Sequence, residues 1–175
     1  MNSAEIQQVL DTLTLIVDTR EQDTPLFRKR MKQVEIPYIR RKLDYGDYSA
    51  KVIDVDGSEI DLSSKFAVER KMSIDELAQN MTRSRSRFIR EFERAAAAGA
   101  KTYLLVENAS WEKAYSGEYR TQVNPNALTA SMIAWLARYN CQLIMCKKET
   151  TPKLLYDICY REAKEYLTKI VNDEI

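Results

Sequence analysis

Phe66-Ala67-Val68-Glu69-Arg70-Lys71-Met72-Ser73-Ile74-Asp75-Glu76 is the stretch from which the fold can be read. Its first six residues form an apolar run that ends in charge, which reads as a strand rising out of a core. Ser73-Ile74-Asp75-Glu76 is a capping box, so a helix starts almost at once. Upstream, Leu13–Asp18 (LTLIVD) reads as a buried strand, preceded by a short helix hinted at by Ile6, Val9, Leu10 and Leu13. Pro25 suits the first position of a second helix. Ile36–Leu43 and Tyr48–Val55 read as strands, Asp56-Gly57 as a hairpin turn, and Ile60–Leu62 with Phe66–Lys71 as the return arm. Downstream, a helix is expected from about Arg83 to the alanine run, with Gly99 as its cap. There follow a strand at Tyr103–Glu107, a helix from Asn124-Pro125 through Tyr139, a strand at Leu143–Cys146 and a long helix opened by Thr151-Pro152. Strands alternating with helices predict an α/β fold: a mixed central sheet covered on both faces.

The composition fits one domain. The chain has 175 residues, 45% of them hydrophobic and 30% charged, enough to bury a core. No apolar run approaches the roughly 18–20 residues that span a bilayer, so no membrane association is expected. The opening MNSAEIQQVLDTL lacks the basic start of a secretory signal. Cys141, Cys146 and Cys159 form no metal-type pair and read as reduced, buried thiols of a cytoplasmic protein. Histidine is absent. That excludes serine-histidine hydrolysis, histidine-zinc chemistry and histidine-based nucleases, and leaves carboxylates, lysine, arginine, tyrosine or a hard metal ion. The net charge of +1 points to no partner by itself.

Four charged clusters sit at or just beyond strand ends: Asp18-Thr19-Arg20-Glu21, Asp44-Tyr45-Gly46-Asp47-Tyr48, Glu69-Arg70-Lys71 with Asp75, and the arginine-rich helix after Thr82. Residues two apart on a strand share a face, so Glu69 and Lys71 point one way and Arg70 the other. A carboxylate beside an ammonium at a sheet edge suits phosphodiester cleavage. The carboxylate would hold Mg²⁺, and the lysine would orient water or stabilise charge on the phosphate. Asp47 is the natural second ligand, with Gly46 permitting a sharp turn before it. Taken alone, Glu69-Arg70-Lys71 reads more simply as surface ion pairs, Glu69–Lys71 or Arg70–Asp75.

Together the clusters say more. Val17-Asp18-Thr19-Arg20-Glu21, then Gly46-Asp47, then Glu69-Arg70-Lys71-Met72-Ser73-Ile74-Asp75 resembles the signature of the XPF-type nuclease family, a GD dipeptide followed by ERKxxxD. Asn80–Phe92 looks like the family's arginine-bearing helix, and the resemblance runs from about Leu15 to Leu167. The stretch Ser110–Asn140 also resembles small single-domain members found in bacteriophages, which would place the protein in the cytoplasm of a bacterial host. The resemblance implies a restriction-endonuclease-like core that cuts branched, flap or fork DNA with Mg²⁺ or Mn²⁺, in DNA repair or recombination. It implies that Asp47 and Glu69 bind the metal, that Asp18 and Glu21 line the same site and help bind a second ion, and that Lys71 is the catalytic lysine. Arg20 and Arg70 would support the site or the scissile phosphate, and Asp75 would orient from the following helix.

Relatives usually carry a helix-hairpin-helix module for DNA grip and pairing. None is evident between Met1 and Ile175, so a single nuclease domain is expected, acting as a homodimer or with a partner protein. Arg83, Arg87, Arg90 and Arg94, at i, i+4, i+7 and i+11, are expected to line one helical face and contact phosphates. Trp111, Tyr115 and Tyr119 read as packing residues, and Leu154, Leu155, Ile158, Cys159 and Leu167 as core or a dimer face. The competing reading is a DNA-binding or scaffold subunit that has lost catalysis. Retention of every mapped carboxylate and lysine position favours an active enzyme.

Overall fold

A computed structural model describes residues 1–172. Seven strands make one sheet: β1 (Thr14–Val17), β2 (Tyr38–Arg40), β3 (Tyr48–Ile53), β4 (Glu59–Asp61), β5 (Phe66–Lys71), β6 (Lys101–Glu107) and β7 (Cys141–Cys146). Their order is β2-β1-β3-β5-β6-β7, with β4 paired to β3. β1 runs parallel to β2 and antiparallel to β3, whereas β5, β6 and β7 are mutually parallel. The helices are α1 (Ser3–Leu10), α2 (Pro25–Val34), α3 (Ile74–Met81), α4 (Arg85–Ala97), α5 (Trp111–Ser116), α6 (Pro125–Arg138) and α7 (Thr151–Val171). This is the expected α/β architecture, a mixed sheet between two helical layers. No helix among the described residues is long and apolar enough to cross a membrane.

Alternation along the strands divides the core in two. Phe66 and Val68 of β5, with Tyr103 and Leu105 of β6, pack against α1, α2 and α7. Leu104 and Val106 of β6 face the other way, onto α3, α4, α5 and α6. Arg70 therefore continues the α2/α7 face, and Glu69 and Lys71 belong to the α3/α4 face. In α7, Leu155, Ile158, Cys159 and Leu167 are buried in the first cluster. The apolar stripe read as core or a dimer face is thus taken up by the core of this chain.

Local departures from the sequence reading have local causes. β2 is three residues long rather than the eight of Ile36–Leu43, because the chain leaves the sheet so that the Leu43 N–H can donate to Asp18 Oδ2 at 2.7 Å. The helix expected from Arg83 starts at Arg85. Thr82 turns its hydroxyl back to the Ala78 carbonyl (2.8 Å), and residues 82–84 separate two helices. At Ser73 the box is half formed: the Ser73 hydroxyl accepts from the Glu76 N–H, but Glu76 accepts from the N–H of Met72 (2.8 Å). The unexpected α5 carries ordinary signals that its six-residue length obscured, a Ser110 N-cap and a left-handed Gly117.

Candidate active site

The site is assembled where β3 begins and β5 ends. Gly46 has φ +72°, and a Cβ there would come within 2.8 Å of Ala67 Cβ and 3.2 Å of the Val68 carbonyl oxygen. Only glycine lets this turn press against β5. Asp47 is then locked into the sheet: its N–H donates to the Val68 carbonyl (2.8 Å), and its own carbonyl accepts from the Asp18 N–H (2.8 Å). The Arg70 N–H donates to Asp47 Oδ2 at 2.8 Å. On the α3/α4 face of β5, Lys71 Nζ lies 2.5 Å from Glu69 Oε1, with both side chains buried. The Lys71 ammonium also stands 5.2 Å from the centre of the Phe88 ring.

These groups open into a cleft of about 250 Å³ between β5, α3 and α4. Its lining carries five carboxylates (Glu21, Asp47, Glu69, Glu76 and Glu91) against three cations (Arg20, Lys71 and Arg87). Burial pushes the Asp47 carboxyl well above the usual carboxylate range, and the nearby Glu69 charge adds to this. Burial likewise raises Glu69, although Lys71 opposes it. A buried ion pair is a poor source of stability, because well-packed apolar residues of similar volume often do as well. Packing therefore gives no reason for Glu69 and Lys71 to sit here. A cation would relieve the excess negative charge. Among the described residues no group of three or more possible ligands is gathered for a metal. Mg²⁺, however, is usually held by one or two carboxylates, with water and phosphate completing its shell. Asp47 and Glu69 fit that requirement.

Other predicted residues take different places. Asp18 is withdrawn from the cleft. Its Oδ1 accepts from the N–H and Nε of Arg20 (both 2.7 Å), its Oδ2 from Leu43, and the residue is 1% exposed. Burial would raise its carboxyl, but the bonds from Arg20 and Leu43 prevail and hold it below the usual range. Asp18 thus positions Arg20, which lines the cleft and reaches Glu91 at 3.1 Å. Glu21 lines the cleft too, but its Oε1 is engaged by Arg30 (2.7 Å) and the Tyr48 hydroxyl (2.9 Å). Arg70 points to the opposite face, where it grips Glu107 through two 2.8 Å bonds. Asp75 is elsewhere: it accepts from the N–H groups of Arg120 (2.7 Å) and Thr121 (2.9 Å) beside a separate hollow of about 640 Å³. Arg83, outside α4, lines that hollow as well.

Of the arginine stripe, only Arg87 enters the cleft lining. Arg90 is exposed, and the side chains of both make no ion pair or hydrogen bond with other described residues. Arg94 donates instead to the Asp44 carbonyl at 2.9 Å. Glu76 and Glu91 also line the cleft, and neither is among the site residues expected from the sequence. Glu91 lies one turn beyond Arg87, a spacing that could have placed it there.

The ERCC4 domain matches residues 17–158, most of the chain. The chain belongs to the ERCC4 domain family. The fold of this ERCC4 domain is similar to XPF from Aeropyrum pernix, with a TM-score of 0.61 and 20% identity over 85% of this chain and 61% of that one. The same archaeal XPF in complex with DNA gives 0.57 and 21%, over 89% and 65%. The ERCC4 chain thus spans 61–65% of the length of these XPF chains. No curated protein matches it.

Proposed function

We propose that the protein is a divalent-metal-dependent DNA endonuclease that cuts at branched, flap or fork structures. The observation that carries this reading is the convergence of Asp47, Glu69 and Lys71 in one acidic cleft, within an ERCC4 domain whose family is one of endonucleases. Asp47 and Glu69 would hold Mg²⁺ or Mn²⁺, which when bound polarises a phosphoryl oxygen and lowers the pKa of water. Lys71 places a fixed ammonium where negative charge grows on the phosphate. Arg20, held by Asp18 and Glu91, presents a second cation at the cleft mouth. Pairing with a second copy or a partner chain would extend the grip on DNA, and a bacteriophage source acting in a bacterial cytoplasm accords with the sequence resemblance.

The test is cleavage of flap, fork, four-way-junction and linear duplex DNA, with Mg²⁺, with Mn²⁺ and in EDTA. Cutting of branched substrates that stops in EDTA is expected. Robust cutting in EDTA would defeat the mechanism, and no cutting of any DNA would defeat the reading.

Arg87 and Arg90 are exposed cations of α4 without partners among the described residues, and Arg87 lines the cleft. Arg87→Ala and Arg90→Ala should each weaken binding to unrelated duplex sequences and lower the log–log salt slope by about 0.9 per lost phosphate contact. Titrations across a range of salt concentrations measure both. Unchanged affinity and slope would make this face merely solvated.

A further inference from the structure

A second cleft, of about 280 Å³, lies across the sheet from the first, between α2, the ends of β5 and β6, and the start of α7. Two fixed cations build its wall. The Arg30 side chain is 9% exposed, donates to Glu21 and has an Nε with no hydrogen-bond partner among the described residues. Arg70 is locked by Glu107. Lys29 and Lys148 are exposed and, among the described residues, make no ion pairs; Glu149 is the one acid of the cleft lining that is likewise unpaired among them. The start of α7 adds the positive end of a 21-residue helix whose Thr150 N-cap offers it no side-chain acceptor. Beside these charges two large apolar side chains are left in water, Leu26 (71% exposed) and Met72 (57%).

Cationic wall, basic rim and apolar flank suit a ligand with both a phosphate and a flat apolar face. The volume is at the low end for small-ligand sites, about 300 Å³, which admits one nucleotide and excludes a duplex. The two clefts share a wall, because Glu21 lines the catalytic one while Arg30 of the other grips its Oε1.

Building on the nuclease reading above, we propose that the α2/α7 cleft binds one nucleotide of the single DNA strand that leaves the catalytic cleft. Its phosphate sits over Lys29 and Lys148, and its base lies against Leu26 and Met72. The site grips a single-stranded arm and gives the enzyme a preference for DNA that carries one.

Fluorescence anisotropy in EDTA, comparing a blunt duplex with the same duplex bearing an oligothymidine arm, tests this. The wild type should bind the armed DNA more tightly. The double variant Lys29→Glu/Lys148→Glu should lose about tenfold in affinity for armed DNA, with a salt slope lower by about 0.7, the contribution of one phosphate contact on a single strand. Its affinity for blunt duplex should not change. Leu26→Ser/Met72→Ser should reduce the arm preference without moving the slope. All four side chains are exposed, so folding is not at stake. A charge-reversed protein that keeps the preference, or that weakens on both DNAs equally, overturns the site. A wild type that cuts DNA but shows no arm preference removes this site alone; one that neither binds nor cuts removes the nuclease reading with it.

Discussion

Lys71→Met should leave a folded, DNA-binding protein whose kcat is lower by roughly 10²–10³. Methionine keeps an unbranched stem to pack near Phe88 and removes only the charge. The ammonium it deletes is buried, 2.5 Å from Glu69 Oε1 and on the same strand face, so it is not the exposed ion-pair partner that sequence alone also allowed. An exposed pair would contribute at most about 1 kcal/mol to stability and nothing to turnover. Breaking a buried pair by removing one partner commonly costs about 3–5 kcal/mol, because the other charge is stranded. Here that penalty is softened, because burial already biases Glu69 toward its neutral form, and a proton can take the place of the lost ammonium. The variant should therefore melt lower than wild type at neutral pH and recover on acidification, while kcat stays low and excess Mn²⁺ brings no rescue. Turnover within a few-fold of wild type would remove Lys71 from the chemistry.

Asp47→Asn should act in two opposite directions: cleavage is lost, and the metal-free protein becomes more stable. Asparagine can still accept the Arg70 N–H, so the turn after Gly46 is kept. What disappears is a carboxylate that burial and the Glu69 charge hold well above its ordinary value of 3.8. The sign follows from proton counting. Between the unfolded pKa and the raised folded one, the native state binds more protons than the unfolded state, so stability falls as pH rises through that window and stays lowered above it. Metal-free wild type should thus lose melting temperature as pH rises from about 4. Mg²⁺ should restore part of the loss, and Asp47→Asn should flatten the Asp47 share of the slope and gain little from Mg²⁺. Melting curves in EDTA across that range, with and without added Mg²⁺, measure this. A variant that still cuts DNA, or that melts below wild type in EDTA at every pH, would contradict the assignment of Asp47 as a metal-holding residue.

What the sequence made legible is what neighbouring residues decide. The faces of Glu69, Arg70 and Lys71 follow from strand geometry. Gly46 before Asp47 follows from the conformation that only glycine takes easily, and the start of α3 follows from Ser73. The obscured parts depend on partners far along the chain. Asp18 reads as a ligand, but Leu43, beyond α2 and β2, takes its second oxygen. Arg70 chose Glu107 on a strand laid down much later. Asp75 serves a loop around Arg120 and Thr121 rather than the cleft. Arg83 left the stripe because a threonine hydroxyl interrupted the helix before it. Periodicity assigns a face to a side chain, but the hydrogen bonds waiting on that face come from tertiary contacts.

Arg70 is held at both ends, its N–H by Asp47 and its guanidinium by Glu107, and Glu107 Oε1 also accepts from the Thr151 hydroxyl at 2.7 Å. The first residue of α7 is in this way mechanically continuous with the strand that carries the lysine. The consequence is genetic. Inactivating changes in this protein should not be confined to the motif that announces the chemistry. A random screen for dead clones should also return positions at the base of the last helix, far from the motif in sequence and absent from the lining of the catalytic cleft.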